Sequence, residues 1–382
     1  MKRDSFREEA QEHHPIDDLL ELPPEDRETI LKAGIDPEGK GRTGSFLQMD
    51  HSVVHCQSKV EGVEILPITE ALRRYDGLKD YWWKALSPEK DEYTQRASLH
   101  QEGGYFIRSL PGVKVVYPLQ ACLYITVDQL AQDVHNVVIA EEGSDLHVIT
   151  GCATSPHVRS GLHVGVSEFY VKKGAKLTFT MIHNWPEEMS VRPRTVIWVD
   201  EGATFISNYV CLMPAKDLET YPTALLRGEG AVVTFNSVLL AKAGSLMDVG
   251  ARVILKERGT RAEVISRNVS VGGEIIARGH LIGEAPEVKG HLECRGLLLA
   301  DGLIRAIPEL EGRVAGAEMS HEAAVGKIAQ EEIEYLMSRG LSEQEATSLI
   351  VKGFLSLEIE GLPPILKEEL DRVVAETERE AW

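Results

Sequence analysis

Several familiar signatures are missing from this chain of 382 residues. It has no Gly-x-x-x-x-Gly-Lys-Ser/Thr loop, so it does not hydrolyse nucleotides by itself. It has no Gly-x-Ser-x-Gly elbow and no His-Glu-x-x-His pair, which excludes the commonest serine-hydrolase and zinc-protease designs. No apolar run approaches the roughly 18 residues of a membrane span. The opening Met1-Lys2-Arg3-Asp4 carries charge where a signal peptide needs an apolar core, so a cytoplasmic protein is expected. Positive charge is in deficit, with 41 basic against 60 acidic residues and a net charge of -19. That balance argues against nucleic acid and anionic membranes as partners and accommodates a basic protein partner. Cysteine is scarce too. Cys56, Cys122, Cys152, Cys211 and Cys294 are odd in number, widely spaced and without a CxxC pair. They make neither a disulfide framework nor a structural zinc site of recognisable spacing. Any cysteine chemistry must join residues distant in the chain.

What the chain does have is an internal repeat. The segments Glu168–Phe179, Val196–Ser207, Ala224–Phe235 and Val253–Val264 superimpose without a gap. Their common glycines, Gly174, Gly202, Gly230 and Gly259, are 28, 28 and 29 residues apart. Each copy reads as a β-prone run, a tight turn at Gly, and a second β-prone run, which is one coil of a solenoid. Glu142-Gly143-Ser144 fits an earlier coil, and turns at Gly272-Gly273 and Gly302 extend the pattern less regularly. The fold class expected is mainly β: a parallel β-helix flanked by helical regions. Roughly seven coils at a strand spacing of about 4.8 Å make a rod roughly 30 Å long.

Three regions follow: residues 1–100 helical and irregular, 101–315 the β-helix core, and 316–382 a C-terminal helical domain. Pro23-Pro24-Glu25-Asp26 opens a short helix through Leu31, and Ile68–Tyr75 forms another. Tyr81-Trp82-Trp83 reads as an aromatic anchor holding this region onto the solenoid. Beyond Pro308 the period changes to 3.6. Ser320 is the expected N-cap of a helix with Val325, Ile328, Ala329, Ile333, Leu336 and Met337 on one face, stopped by Gly340. Ser342-Glu343-Gln344-Glu345 is a capping box for a second helix through about Gly353. A third is expected after Gly361-Leu362-Pro363-Pro364. These helices have too little core to stand alone and should pack on the solenoid or a partner.

Among residues able to carry chemistry, histidines are plentiful but scattered. Cys294, within His291-Leu292-Glu293-Cys294-Arg295-Gly296, shares a strand face with Leu292, while His291, Glu293 and Arg295 share the other. Two readings stand: an inert buried thiol, or a thiolate favoured by Arg295 and able to act as nucleophile or soft-metal ligand. Cys152, at the end of His147-Val148-Ile149-Thr150-Gly151-Cys152, carries the same pair of readings.

Four stretches, His135–Cys152, His183-Asn184-Trp185, Gly290–Gly296 and Ser320–Ile328 followed by Tyr335–Gly340, resemble the SufB/SufD family of SUF-system iron–sulfur cluster assembly scaffolds. The similarity spans roughly residues 100 to 360. It implies a right-handed parallel β-helix with helical flanks that pairs with itself or a SufB/SufD paralogue through the β-helix. It also implies C-terminal helices that dock a SufC-like ABC ATPase. On the family pattern, Cys294 falls on the scaffold cysteine of the subunit interface, with His321 and Glu322 as neighbouring ligand candidates for nascent iron and sulfide. Cys152 falls on a cysteine that receives sulfur, implying a sulfur donor protein as a further partner. The cofactor implied is a transient iron–sulfur cluster, with none tightly bound after aerobic purification. The chain departs from larger B-type members in lacking an N-terminal cysteine cluster and in having His183 where Gln is expected.

The leading expectation is a non-enzymatic assembly scaffold whose ATP hydrolysis belongs to a partner. A structural adaptor of the ATPase that holds no cluster is the alternative. A β-helix enzyme acting on carbohydrate is less supported, because the sequence contains no compact Asp/Glu constellation of the kind such sites need.

Overall fold

The computed structural model describes residues 6–100, 103–213 and 215–355. Its strands form two long sheets, of ten and eleven strands, between which the chain alternates. Asp145–Thr154 lies in the first sheet, Ser160–Val171 in the second, Lys176–Asn184 back in the first beside Asp145–Thr154. Continuing in this way, Thr204–Cys211, Val232–Lys242, Arg261–Val271, Lys289–Leu298 and Glu318–Lys327 add to the first sheet in parallel. The result is a parallel β-solenoid of about eight turns, one more than the repeat alone suggests. Its interior is a continuous apolar column that includes Phe46, Leu123, Val148, Leu177, Phe205, Val233, Val253 and Leu281.

The repeat glycines turn the corners. Gly143, Gly174, Gly202, Gly230 and Gly259 have φ of 67, 63, 62, 68 and 69°, a region that costs other L-residues about 1–2 kcal/mol. Stacking adds a hydrogen bond at four of these corners. The amide of Gly143 donates to Lys173 O at 3.0 Å, Gly174 to Glu201 O at 2.9 Å, Gly202 to Glu229 O at 2.9 Å and Gly230 to Arg258 O at 3.0 Å. Glu287, the residue 28 after Gly259, takes the same corner with φ of 60°.

The N-terminal end of the solenoid is closed. Residues 1–100, expected to be helical and irregular, also supply three strands. Gly44–Met49 pairs antiparallel with Ser52–Ser58 and parallel with Leu119–Ile125, while Val63–Pro67 runs antiparallel to Tyr105–Ser109. The expected helices occur at Pro24–Lys32 and Ile68–Arg74. The aromatic anchor is built around Glu168, which is fully buried and accepts from Trp83 N at 2.6 Å, Ala85 N at 2.6 Å and Leu86 N at 3.1 Å. His135 Nε2 contacts the same carboxylate at 2.9 Å, and Trp82 stacks on the imidazole at 3.7 Å.

Among the described residues nothing closes the C-terminal end, and here the sequence expectation is corrected. Ser320 does not cap a helix, because Glu318–Lys327 is the last solenoid strand and the helix runs over Gln330–Ser338. Solenoid strands therefore continue past residue 315. The apolar spacing from Val325 to Met337 suits a helix. However, the free edge of Lys289–Leu298 offers a full ladder of backbone partners, and Met319, His321, Ala323 and Val325 alternate onto the interior face. Leu281 is fully buried, but its in-register successor Leu310 is 39 % exposed, and Val325 is 41 % exposed. The capping box closes as expected, with Ser342 N on Glu345 Oε2 at 2.8 Å and Glu345 N on Ser342 Oγ at 3.2 Å, opening the helix Glu343–Leu355. The third expected helix lies outside the described residues. No helix among the described residues is long and apolar enough to cross a membrane.

Candidate functional site at the open end of the solenoid

Parallel pairing places residues of successive coils in straight rows along the interior. One row runs Thr150, Met181, Tyr209, Ser237, Ser266, Cys294, Ala323. The adjacent inward row runs Cys152, His183, Cys211, Leu239, Asn268, Gly296, Val325. On the other side His321 follows Leu292. Cys294 and His321 therefore lie on the interior face of the last two strands of this sheet. Both line one small cavity with Ser266, Ile307 and Pro308. Ala323, directly after Cys294 in its row, leaves little side chain between the thiol and the open end.

Glu322 goes elsewhere. It is in register with Glu293 on the outer face, and its Oε1 lies 3.4 Å from Arg295 Nη2. Glu293 in turn pairs with Arg295 at 2.8 Å and Arg267 at 2.7 Å. Arg295 is thus turned away from Cys294, and of the two readings the Arg295-supported thiolate is not what the structure shows. Burial pushes the Cys294 thiol up from its ordinary range, against the opposing pulls of a Ser266 hydrogen bond and the Arg267 charge. The Ser266 hydroxyl donates to Cys294 Sγ at 3.2 Å.

Cys152 is fully buried, its Sγ 3.6 Å from Met181 Sδ, and burial raises its thiol well above the ordinary range. His183 stands in register between Cys152 and Cys211. Its Nδ1 is 2.8 Å from Tyr209 OH, and burial holds the imidazole neutral. Cys152 and Cys294 are five strand spacings apart, roughly 24 Å. Between them the solenoid encloses a cavity of about 80 Å³ whose walls include Met181 and Tyr209 at one end and Ser266 and Asn268 at the other. Val264, Ser266, Ala277 and Arg278 also line the cavity at Cys294, so the two spaces share a wall.

Met181, Tyr209, Ser266 and Asn268 were not singled out from the sequence, although the repeat contains the signal. Steps of 28, 29, 28 and 28 residues back from Cys294 land on Ser266, Ser237, Tyr209 and Met181. Among the described residues of a single chain, no three of His, Cys, Asp and Glu converge in a metal-holding group. One protomer thus presents two donors, a thiol and an imidazole, beside an edge that no other described residue covers.

Fold and site together define a β-solenoid protein whose candidate chemistry lies at an unfinished end rather than in an enclosed cleft. The family profile described as SUF system FeS cluster assembly, SufBD core domain, matches residues 123–354. The chain is 53 % identical over 375 residues to a SufBD family iron–sulfur cluster assembly protein of Methanothermobacter thermautotrophicus, covering 97 % of this chain and 92 % of that protein. It is 53 % identical over 356 residues to one of Archaeoglobus fulgidus, covering 93 % and 96 %. Against the iron–sulfur cluster assembly protein SufB of Bacillus subtilis it is 31 % identical over 366 residues, covering 93 % and 78 %. The chain belongs to the SufBD family of iron–sulfur cluster assembly proteins.

Proposed function

We propose that this chain is a scaffold subunit on which a nascent iron–sulfur cluster is assembled at a junction between two solenoid ends. The observation that carries the proposal is the joint placement of Cys294 and His321 at one cavity on the open end. Two such ends, from two copies or from this chain and a paralogue, supply two thiols and two imidazoles, enough to hold a small cluster as cargo. Sulfur gives affinity for iron and imidazole binds less tightly than thiolate, so the mixed set favours release. The inward position of His321 supports it over Glu322 as the second donor.

The cavity between Met181, which touches Cys152, and Ser266, which touches Cys294, supports an interior route for sulfur accepted at Cys152 from a donor protein. ATP-driven opening is assigned to an ABC-type ATPase docked on the C-terminal helices, where Tyr335, Met337 and Leu349 are exposed apolar groups. All five cysteines are free, which fits the reducing cytoplasm.

The test is anaerobic reconstitution with Fe²⁺ and sulfide, comparing wild type with Cys294→Ser by absorption and by iron and sulfide analysis. Loss of a labile cluster in the variant is expected. Equal cluster content in both proteins overturns the ligand role. No cluster in either favours an adaptor that serves the ATPase without holding metal.

A further inference from the structure

The outer face of the second sheet leaves two cations without a carboxylate. Parallel pairing lines up Val196, Thr223, Arg252 and His280 in one row, and Trp198, Leu225, Ile254 and Ile282 in the next row of the same face. Val253 and Leu255 belong to the interior column, so Arg252 and Ile254 point outwards. Trp198, Leu225, Arg252 and Ile254 are half-buried. A ledge from the N-terminal region abuts this face. Asp91 caps the helix Glu92–Leu99 through Oδ1, which accepts from Tyr93 N at 3.0 Å and Thr94 N at 2.8 Å, and its Oδ2 pairs with Arg194. That pair holds the preceding residue, Lys90, beside Arg194 and Arg252.

Neighbouring cations are matched. Arg194 also binds Glu219 at 2.7 Å, Arg227 pairs with Asp200 at 3.1 Å, and Arg278 takes both oxygens of Asp248 at 2.5 and 2.7 Å. Among the described residues neither Lys90 nor Arg252 has an ion pair, and Arg252 Nε is buried without a hydrogen-bond partner. Lys90 reaches solvent, yet desolvation first, and then the charges of Arg194 and Arg252 against that of Asp91, hold its ammonium below the ordinary range. Tyr221 lies close to Arg252, and burial pushes its phenol up to about 12, so the hydroxyl keeps its proton as a donor. Asp248 and Glu309 also face Tyr221. Like charges brought together without a counter-charge, in a protein of net charge -19, form an arrangement that an anion neutralises.

We propose that Lys90, Arg252 and Tyr221 form a binding site for the phosphate group of a small molecule. An ammonium, a guanidinium and a hydroxyl offer the donors that a phosphate oxyanion accepts from. The half-buried stripe of Trp198, Leu225 and Ile254 alongside supplies apolar surface for an organic remainder. The site faces outwards from the sheet opposite Cys294 and does not depend on the cluster-assembly reading.

The full chain is titrated by calorimetry with inorganic phosphate and with phenyl phosphate at constant ionic strength. Both should bind wild type, and Lys90→Ala and Arg252→Ala should each weaken binding about tenfold, the factor that one charge-assisted hydrogen bond supports. Tighter binding of phenyl phosphate assigns the site to an organic phosphate, and equal affinities assign it to free phosphate. Glu309→Gln, which removes a nearby negative charge, should tighten both. No binding to wild type, or unchanged binding in both alanine variants, overturns the proposal. If Arg252→Ala does not fold, Lys90→Ala decides alone. Thermal unfolding gives a second readout. Phosphate should raise the wild-type midpoint above that in chloride of the same ionic strength, and raise it less in Lys90→Ala. An equal rise in the two proteins is a general salt effect and overturns the site.

Discussion

At Cys294 a buried thiol, a hydroxyl donor and a neighbouring imidazole share one small space, and a few ångströms away Glu322 is excluded from it by the alternation of the strand. That geometry separates two substitutions the sequence places side by side. His321→Ala should lower iron retained after reconstitution severalfold, whereas Glu322→Gln should leave it close to wild type. Equal losses would show that the last strand rearranges on assembly. The buried histidines make a second prediction, about pH. Burial holds His163, whose Nδ1 meets Gln132 Oε1 at 3.0 Å, down to about 4 in the folded chain, against about 6.5 unfolded. Between those values the unfolded chain binds the extra proton, so this contribution is complete above about pH 6.5 and is lost as pH falls towards 4. The slope is about 1.4 kcal/mol per pH unit from this group. His135 and His183 shift in the same direction. Denaturant unfolding at pH 7.5 and 5.5 should show the loss, and His163→Gln should flatten it. At this scale Cys294, His321 and Cys152 were singled out by motif resemblance. Ser266 and Asn268 were not, because they become neighbours of Cys294 only when coils are laid on one another.

Among the elements, the corners were the most legible, since a left-handed turn leaves a glycine at a fixed period. They can be tested where sterics play no part. A Cβ at Gly202 would meet nothing within 4 Å, so Gly202→Ala should cost only the conformational term, about 1–2 kcal/mol. Glu287→Gly relieves the same strain and gives up an exposed ion pair with Arg258 of little worth. It should be neutral or stabilising by less than about 1 kcal/mol. Thermal unfolding of the two variants checks both signs. The boundary at residues 318–327 was misread for an equally local reason. Val325, Ile328, Ala329 and Ile333 fit one helix face when read alone, and only the exposed ladder of the preceding coil makes the strand the better solution up to Lys327. The anchor was foreseen as aromatic packing, but its centre is the Glu168 carboxylate, whose backbone donors lie more than 80 residues earlier in the chain. Glu168→Ala should destabilise by about 3–5 kcal/mol, because it leaves several buried donors unpaired.

For the whole molecule, the contrast between the two ends of the rod carries the argument. At the N-terminal end antiparallel strands close the stack, whereas the C-terminal end stops on two strands whose interior faces no described residue covers. Edge strands with exposed apolar residues are a pairing liability that proteins normally suppress, and here the same edge holds the candidate ligands. A second solenoid end placed against it would bury Leu310 and Val325 and complete the ligand set in one step. Val325 is the informative position, because it lies in the interior row of the last strand yet is 41 % exposed in the single chain. Val325→Asp should therefore leave the monomer's thermal stability within about 0.5 kcal/mol of wild type. It should also shift sedimentation towards monomer and reduce cluster retention as far as Cys294→Ser does. If the variant sediments as wild type but still loses the cluster, the charge acts locally on Cys294. If it sediments as monomer and keeps the cluster, a single end is sufficient to hold it and the paired-end reading fails.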